Sequence, residues 1–199
     1  VGAIGTGLPN GVAVVAATTW DAMQGAKSLS VNWNLPADAA SNDTNAISAR
    51  AATLMASGTP IVAQDVNSAS LLTGLAAPNI AISSTYQLPF LAHAALEPLN
   101  CTVRFTPASG TTPARCEVWA PTQAPDSTMQ TAAGLCPAGT TVSVVNTLLG
   151  GGFGRKFEQD FIREAVQVAL ACPGKPVKLT WPREQDFSYD QYRPMALSS

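Results

Sequence analysis

The run Leu148-Leu149-Gly150-Gly151-Gly152-Phe153-Gly154-Arg155-Lys156 limits what this chain can fold into more than any other stretch, because the composition changes there from strand-like to helix-like. Before it, Thr140-Thr141-Val142-Ser143-Val144-Val145-Asn146 is rich in β-branched residues, as a strand should be. After it, Phe157, Phe161, Ala165, Val168 and Ala169 recur at helical spacing, with Glu158, Asp160, Arg163 and Glu164 on the polar side. The glycines are therefore predicted to sit in a strand-to-helix turn. They cost backbone entropy and contribute no packing, but they permit positive φ and let the main chain approach a ligand. A helix N-terminus adds unpaired N–H groups and a partial positive charge, which suit an anion. Phe153, bulky and apolar among four glycines, is an odd choice for a plain turn.

A glycine-rich turn also serves as a flexible connector, and that account stands beside the ligand one. Neither standard nucleotide motif fits. A Walker loop needs Ser or Thr after its lysine, whereas Phe157 follows Lys156. The dinucleotide fingerprint needs a last glycine that this run lacks.

The 199 residues are enough for one good core or a domain and a half. Hydrophobic content of 46% and a mean hydropathy of +0.13 exclude general disorder. Charged residues make up 12%, about half the usual ~25%, so much of the surface is neutral or apolar, as in a chain covered by another domain or subunit. A net charge of −2 without a basic run gives a nucleic-acid partner no electrostatic support. Pro, Asn and Ser interrupt the uncharged stretches before they could span a bilayer.

Cys101, Cys116, Cys136 and Cys172 form no Cys-x-x-Cys pair, so a zinc or iron–sulfur site built from this chain alone is not indicated. Their even number permits disulfides, and Cys101 and Cys116, flanking a hairpin, are the candidate pair in an oxidising compartment.

In chain order, Gly11 to Ala17 reads as a buried strand, Thr18 or Thr19 as an N-cap, Trp20 to Leu29 as a short amphipathic helix and Ser30 to Trp33 as a returning strand. Ala37 to Asp43 is a linker, and Asn45 to Ala56 a helix closed by Gly58 and Pro60. Ile61 to Leu75 is mixed, and Ile80 to Tyr86 is strand-like. His93, the only histidine, is with Glu97 either a structural hydrogen-bonding pair or part of a pocket wall. Thr102 to Thr106 and Cys116 to Ala120 alternate as two strands joined by Pro107 to Ala114. Gln123 lies in the loop beyond, Ser127 to Leu135 is helical, and the helix from Phe157 stops at Pro173-Gly174. Pro176 to Trp181 is another strand; Pro182 to Phe187 and Tyr192 to Pro194 are polar turns. Strands and helices alternate irregularly, so the fold class is α+β.

Four blocks then combine: Tyr86 with Pro89-Phe90-Leu91-Ala92-His93 and Glu97-Pro98; Glu117 to Gln123; Gly150 to Lys156; and Pro176 to Trp181 with Arg183-Glu184-Gln185-Asp186. In order and spacing they resemble the molybdenum hydroxylases, in the isoquinoline 1-oxidoreductase and bacterial aldehyde dehydrogenase branch of the xanthine oxidase family. The resemblance runs from about Gly11 to the end. It implies the end of a hammerhead-like α/β domain over residues 1–36 and part of a molybdopterin-binding α+β domain over residues 37–199. It implies molybdopterin as cofactor, with the cytosine dinucleotide as a candidate form, and iron–sulfur clusters on a small partner subunit. Gln123 matches the family glutamine whose amide bonds an oxygen ligand of molybdenum. Phe153 and Gly154 match residues beside the metal centre, and Gly150, Gly151 and Gly152 the loop that admits the pterin. Gln123 and Phe153 are thus the catalytic candidates. Gly150, Gly151, Gly152, Phe153, Gly154, Arg155 and Gln123 are the cofactor-binding ones, and no residue here is a metal ligand.

The implied activity is hydroxylation of an aldehyde or an N-heteroaromatic compound with water as oxygen source. The family's catalytic glutamate lies downstream of any position here, so this chain is expected to be an incomplete large subunit, inactive alone. In purine-oxidising relatives a glutamate directly follows the glycine-loop lysine; here Phe157 does, with Glu158 one place later, which disfavours purines. The resemblance favours the bacterial periplasm or a membrane-associated complex over the cytoplasm. Two other classes remain in view: a non-catalytic binding or scaffold module that keeps the fold, and a nucleotide-binding domain using the glycine turn.

Overall fold

The computed structural model describes residues 11–59, 61, 82 and 84–198. Two compact units divide the chain, Val1–Val31 with Ala92–Tyr192, and Asn32–Leu91 with Arg193–Ser199.

The first unit is built on a four-stranded sheet. Its strands are β2 (Asn100–Thr106), β3 (Arg115–Ala120), β4 (Thr141–Asn146) and β5 (Pro176–Thr180), in the order β4-β3-β2-β5. The hairpin β2–β3 is antiparallel, with Thr102 opposite Trp119 and Phe105 opposite Cys116. β5 runs antiparallel to β2, and β4 parallel to β3, so β3, β4 and β5 share one direction. Parallel neighbours need crossovers long enough to return the chain. Helix α3 (Pro125–Leu135) returns it from β3 to β4, and α4 (Asp160–Ala171) from β4 to β5.

Alternation along the hairpin decides which face is covered. Cys101, Val103 and Phe105 of β2 and Cys116, Val118 and Ala120 of β3 are buried, while Arg104, Thr106 and Arg115 are exposed. Against the apolar face lies α4, whose Phe161, Ile162, Ala165, Val166, Val168 and Ala169 form its buried stripe. Burial of side chains the size of Phe161, Ile162 or Val166 contributes about 1.5–3 kcal/mol each. Trp181, just beyond β5, closes this core and donates its indole N–H to Glu164 Oε2 at 2.8 Å. After it comes α5 (Arg183–Ser188). Helix α1 (Thr19–Lys27), capped by the Thr18 hydroxyl on the Asp21 N–H at 3.1 Å, belongs to this unit and buries no residue.

The second unit contains a 3-10 turn (Ala39–Asn42), helix α2 (Thr44–Ser57) and the antiparallel pair β1 (Tyr86–Leu88) and β6 (Ala196–Ser198). The Asp43 carboxylate caps α2 on the N–H groups of Asn45 and Ala46, and the helix ends at Gly58.

The mixed architecture agrees with α+β, and the hairpin, α3, α4, β4 and β5 fall where the residue pattern puts them. Several local expectations are corrected. Neither Gly11 to Ala17 nor Ser30 to Trp33 is a strand, and Val12, Val15 and Trp33 are exposed. An extended run becomes a strand only by pairing its N–H and C=O groups with a neighbour, and among the described residues these runs have none. Pro182 to Phe187 is mostly helix rather than turn. The expected linker at Ala37 to Asp43 holds a 3-10 turn. The four cysteines are free thiols. Because Cys116 opposes Phe105, the hairpin register separates it from Cys101 by four residues along β2. Burial, then the neighbouring Cys116, pushes the Cys101 thiol up to about 12. Most of Ile61 to Leu75, with Pro60, Ile80, Ala81 and Ser83, lies outside the described residues.

Candidate functional site

The strand directions gather one set of loops. The start of β2 and the carboxyl ends of β3, β4 and β5 meet at one edge of the sheet, since Asn100 opposes Thr180 and Ala120 opposes Asn146. Carboxyl ends of parallel strands are where sheets of this kind place ligands. Four sequence-distant segments converge there: His93 to Leu99 before β2, Pro121 to Ala124 after β3, Thr147 to Phe157 after β4, and Trp181 to Asp190 after β5.

The loop after β3 is stitched to the one after β4. Thr122, buried, receives the Ala124 N–H on its hydroxyl at 3.1 Å and donates that hydroxyl to Lys156 O at 3.2 Å. The Thr122 N–H reaches Asn146 Oδ1 at 3.1 Å and the Gln123 N–H reaches Lys156 O at 3.0 Å. These bonds set the Gln123 side chain against the glycine turn, where Oε1 accepts the Gly154 N–H at 3.0 Å. With the Gln123 side chain in this position only glycine fits at 152, where a Cβ would overlap Gln123 Oε1 and stand 2.7 Å from Cδ. At 150 a Cβ would stand 2.5 Å from Glu97 Cβ.

The turn winds through positive φ at Gly151 (93°), Phe153 (55°) and Gly154 (101°). Phe153 holds this conformation at about 1–2 kcal/mol with its ring 74% exposed, so packing does not explain it; strain of this kind points to function. Among the described residues, the N–H groups of Gly151, Gly152 and Phe153 have no hydrogen-bond partner. The expected donor arrangement is corrected here: a 3-10 turn (Arg155–Phe157) follows Gly154 and the α-helix begins only at Asp160. The donors facing the loop are those of the turn itself, a concavity of main-chain N–H groups. Phe157, expected on the apolar face of the helix, is exposed on the 3-10 turn.

Lys156 and Arg155 both point inward. The Lys156 ammonium is fully buried and pairs with Glu97 Oε2, which also accepts the Gly150 N–H at 2.8 Å. Burial pushes the Glu97 carboxyl up, but Lys156, the Gly150 N–H and Asn100 together outweigh it and hold the group below its ordinary range. Arg155, 2% exposed, binds Asp160 through two nitrogens at 3.1 and 2.6 Å, and its Nε lies 3.4 Å from Asp190 and 4.0 Å from Asp186. Its guanidinium also stands 5.5 Å over the Trp181 ring. Desolvation pulls the Arg155 pKa down, and the bond to Asp160 with the charges of Asp160, Asp190 and Asp186 raises it above the ordinary value. The Arg155 side chain is thus taken up by carboxylates of this chain.

His93 does not bond Glu97. Its Nδ1 and main-chain N–H both meet Asp190, at 2.8 and 2.7 Å. The structure thus brings together Gln123, Gly150 to Gly154 and Phe153, and adds Thr122, Glu97, Lys156, Asp190 and Asn146. Sequence reasoning gave the last five no place in the loop's support; the alternation that exposes a cap or ladder residue carries no mark of a hydrogen bond made tens of residues away. A groove between Arg104, Arg115 and Thr141 lies at the opposite end of the hairpin, with Glu117 bonding Arg104 at 2.5 and 2.8 Å, and takes no part.

The profile of the molybdopterin cofactor-binding domain matches residues 60–198. The chain belongs to that family. The molybdopterin-binding chain is 29% identical over 192 residues to the isoquinoline 1-oxidoreductase subunit beta of Brevundimonas diminuta, covering 94% of this chain and 24% of that protein. It is 46% identical over 46 residues to the membrane-bound aldehyde dehydrogenase [pyrroloquinoline-quinone] of Gluconacetobacter polyoxogenes, covering 23% of this chain and 6% of that one. The chain therefore spans about a quarter or less of the length of these relatives. Membership of the molybdenum hydroxylases, drawn above from four residue blocks, agrees with both findings.

Proposed function

We propose that this chain is the first cofactor-binding part of the large subunit of a molybdenum-dependent oxidoreductase acting on aldehydes or N-heteroaromatic compounds. Within it, residues 1–36 form the end of a hammerhead-like domain and residues 37–199 part of the molybdopterin-binding domain. The observation that carries the reading is the bond from the Gly154 N–H to Gln123 Oε1 at 3.0 Å. A main-chain N–H demands an acceptor, so it fixes which end of the amide faces the turn. Gln123 Nε2 is left as a donor with no partner among the described residues, next to three N–H groups that have none among them either.

That donor set, with a cradle too tight for a Cβ at 150 and 152, fits a flat, anionic cofactor. Gly151, Gly152 and Phe153 would hold it through their main-chain N–H groups, Gly150 and Gly154 would let it come close to the chain, and Gln123 would donate to one of its oxygens through Nε2. When bound, molybdopterin supplies the two-electron redox chemistry of hydroxylation with oxygen from water. Phe153 keeps water from the centre and shapes the pocket. Arg155 and Lys156 hold the loop from below. Phe157 stands where a purine-recognising carboxylate would be needed, so the substrates are aldehydes or N-heterocycles. A small partner subunit would supply iron–sulfur clusters to take up the electrons, and the cytosine dinucleotide is one form the cofactor can take. Among the described residues no helix is long and apolar enough to cross a membrane.

The test is metal and pterin content of the complete polypeptide, co-expressed with its iron–sulfur subunit in a host that makes the cofactor. Near-stoichiometric molybdenum supports the reading, and a well-folded complex without metal overturns it in favour of a scaffold.

A further inference from the structure

His93 is a polar side chain at this edge that the proposed function leaves unused. Asp190, 2% exposed, grips it at two points, taking the main-chain N–H on Oδ2 at 2.7 Å and facing Nδ1 with Oδ1 at 2.8 Å. A carboxylate with this partner only accepts, so Nδ1 carries a proton, and in the neutral imidazole the lone pair lies on Nε2. Asp190 is itself held 3.4 Å from Arg155 Nε. The grip therefore sets both the ring's position and its tautomer.

Nε2 has no partner among the described residues, and the side chain is 25% exposed. It faces Gly154: a Cβ there would lie 3.5 Å from Nε2, so any larger residue at 154 would screen it. Gly154 is also the residue whose N–H orients the Gln123 amide. A donor, Gln123 Nε2, and an acceptor, His93 Nε2, thus flank one glycine. A ring serving only as structural filling would need neither a two-point grip nor an open acceptor.

We propose that His93 is a further residue of the site, its Nε2 accepting a hydrogen bond from an O–H or N–H group seated over Gly154 in the loaded protein, with Asp190 as its positioning residue. The inference rests on the cofactor-binding reading given above. It requires the acceptor character of Nε2, which a change of tautomer removes without removing the ring.

Asp190→Asn makes that change. The asparagine oxygen can still take the His93 N–H while its amide donates to Nδ1, which moves the imidazole proton to Nε2 and turns the acceptor into a donor. In the complete polypeptide with its iron–sulfur subunit, we expect D190N at wild-type molybdenum content to shift the paramagnetic spectrum of the one-electron-reduced site and to lower kcat/KM for an aromatic aldehyde at least tenfold. An unchanged spectrum with kcat/KM within twofold of wild type overturns the proposal. Should D190N not load metal, His93→Gln and His93→Leu decide, because they have similar bulk and only the first offers an acceptor. A spectrum and turnover nearer to wild type in H93Q support the proposal, and equal behaviour of the two overturns it. Wild-type complex without molybdenum would instead defeat the cofactor reading on which this rests.

Discussion

Gly152 and Gly150 show how two residues with one composition do different work. The atom that a Cβ at 152 would strike is the end of the Gln123 side chain, which can swing away, so Gly152→Ala should unfold within about 1 kcal/mol of wild type. The swing breaks the bond to the Gly154 N–H, and molybdenum content of the complete polypeptide is expected to fall at least tenfold. At 150 the obstacle is Glu97 Cβ, close to the main chain and tied to Lys156. Lys156→Met leaves the Glu97 carboxylate without its cation. Because Glu97 is 32% exposed, the loss should be about 2–3 kcal/mol rather than the ~3–5 kcal/mol of a fully enclosed pair. The Glu97 pKa lies below its ordinary 4.5 in the folded protein, so its contribution is complete above that pH and fades as pH falls through the folded value. Denaturant midpoints measured from pH 7 down to pH 3 should converge for wild type and K156M at the acid end. At this scale the contact of Gln123 with the glycine turn joins residues 31 positions apart, and only the turn itself stands out in the sequence, because a run of glycines is costly anywhere else. The enclosure of Arg155 was not legible, because the carboxylates around it include Asp186 and Asp190, some thirty residues on in the sequence.

The elements whose periodicity runs long enough were legible: α4 shows its stripe at Phe161, Ala165, Val168 and Ala169, and the β2–β3 hairpin its alternation. The segments Gly11 to Ala17 and Ser30 to Trp33 were not, because strand identity depends on a neighbour and not on composition. Helix α5 spans six residues, too few to display a period. Between α4 and the end of β5 lies a contact that neither pattern reveals, the Trp181 N–H on Glu164 Oε2. Burial pushes the Glu164 carboxyl up, and the indole N–H only partly opposes it. A carboxyl whose folded pKa is raised is stabilising to bury at low pH, and that stability is lost as pH rises through the folded value. Glu164→Gln keeps an acceptor for Trp181 and discards the charge, so it should be more stable than wild type at pH 7. The difference should vanish below about pH 4, where both side chains are neutral. Melting temperatures of the two proteins at pH 4 and pH 7 check this, and an E164Q protein that melts lower at pH 7 would refute it.

Across the molecule, burial is uneven in a way that composition alone does not disclose. The apolar core runs through β2, β3, α4 and Trp181 in the first unit, whereas α1 and α2 bury no residue. Around the glycine loop Leu96, Leu148, Phe153 and Phe157 are exposed, consistent with a chain of only 12% charged residues that meets other protein surface. Local stability follows contact with the core rather than hydrogen bonding within an element, because a helix of nine or fourteen residues is marginal without packing. Amide exchange of the complete polypeptide should therefore be slowest in peptides covering 100–106, 116–120 and 161–169. Peptides from 19–27 and 44–57 should exchange at least about a hundredfold faster in the uncomplexed chain. The loop 148–154 carries three N–H groups with no acceptor among the described residues and should exchange fast without cofactor and slow when it is loaded. The core peptides should be insensitive to loading, since Gln123 and the glycines touch the sheet only at its edge. Protection of 148–154 that is the same with and without bound molybdenum would separate the loop from the cofactor and leave it a structural turn.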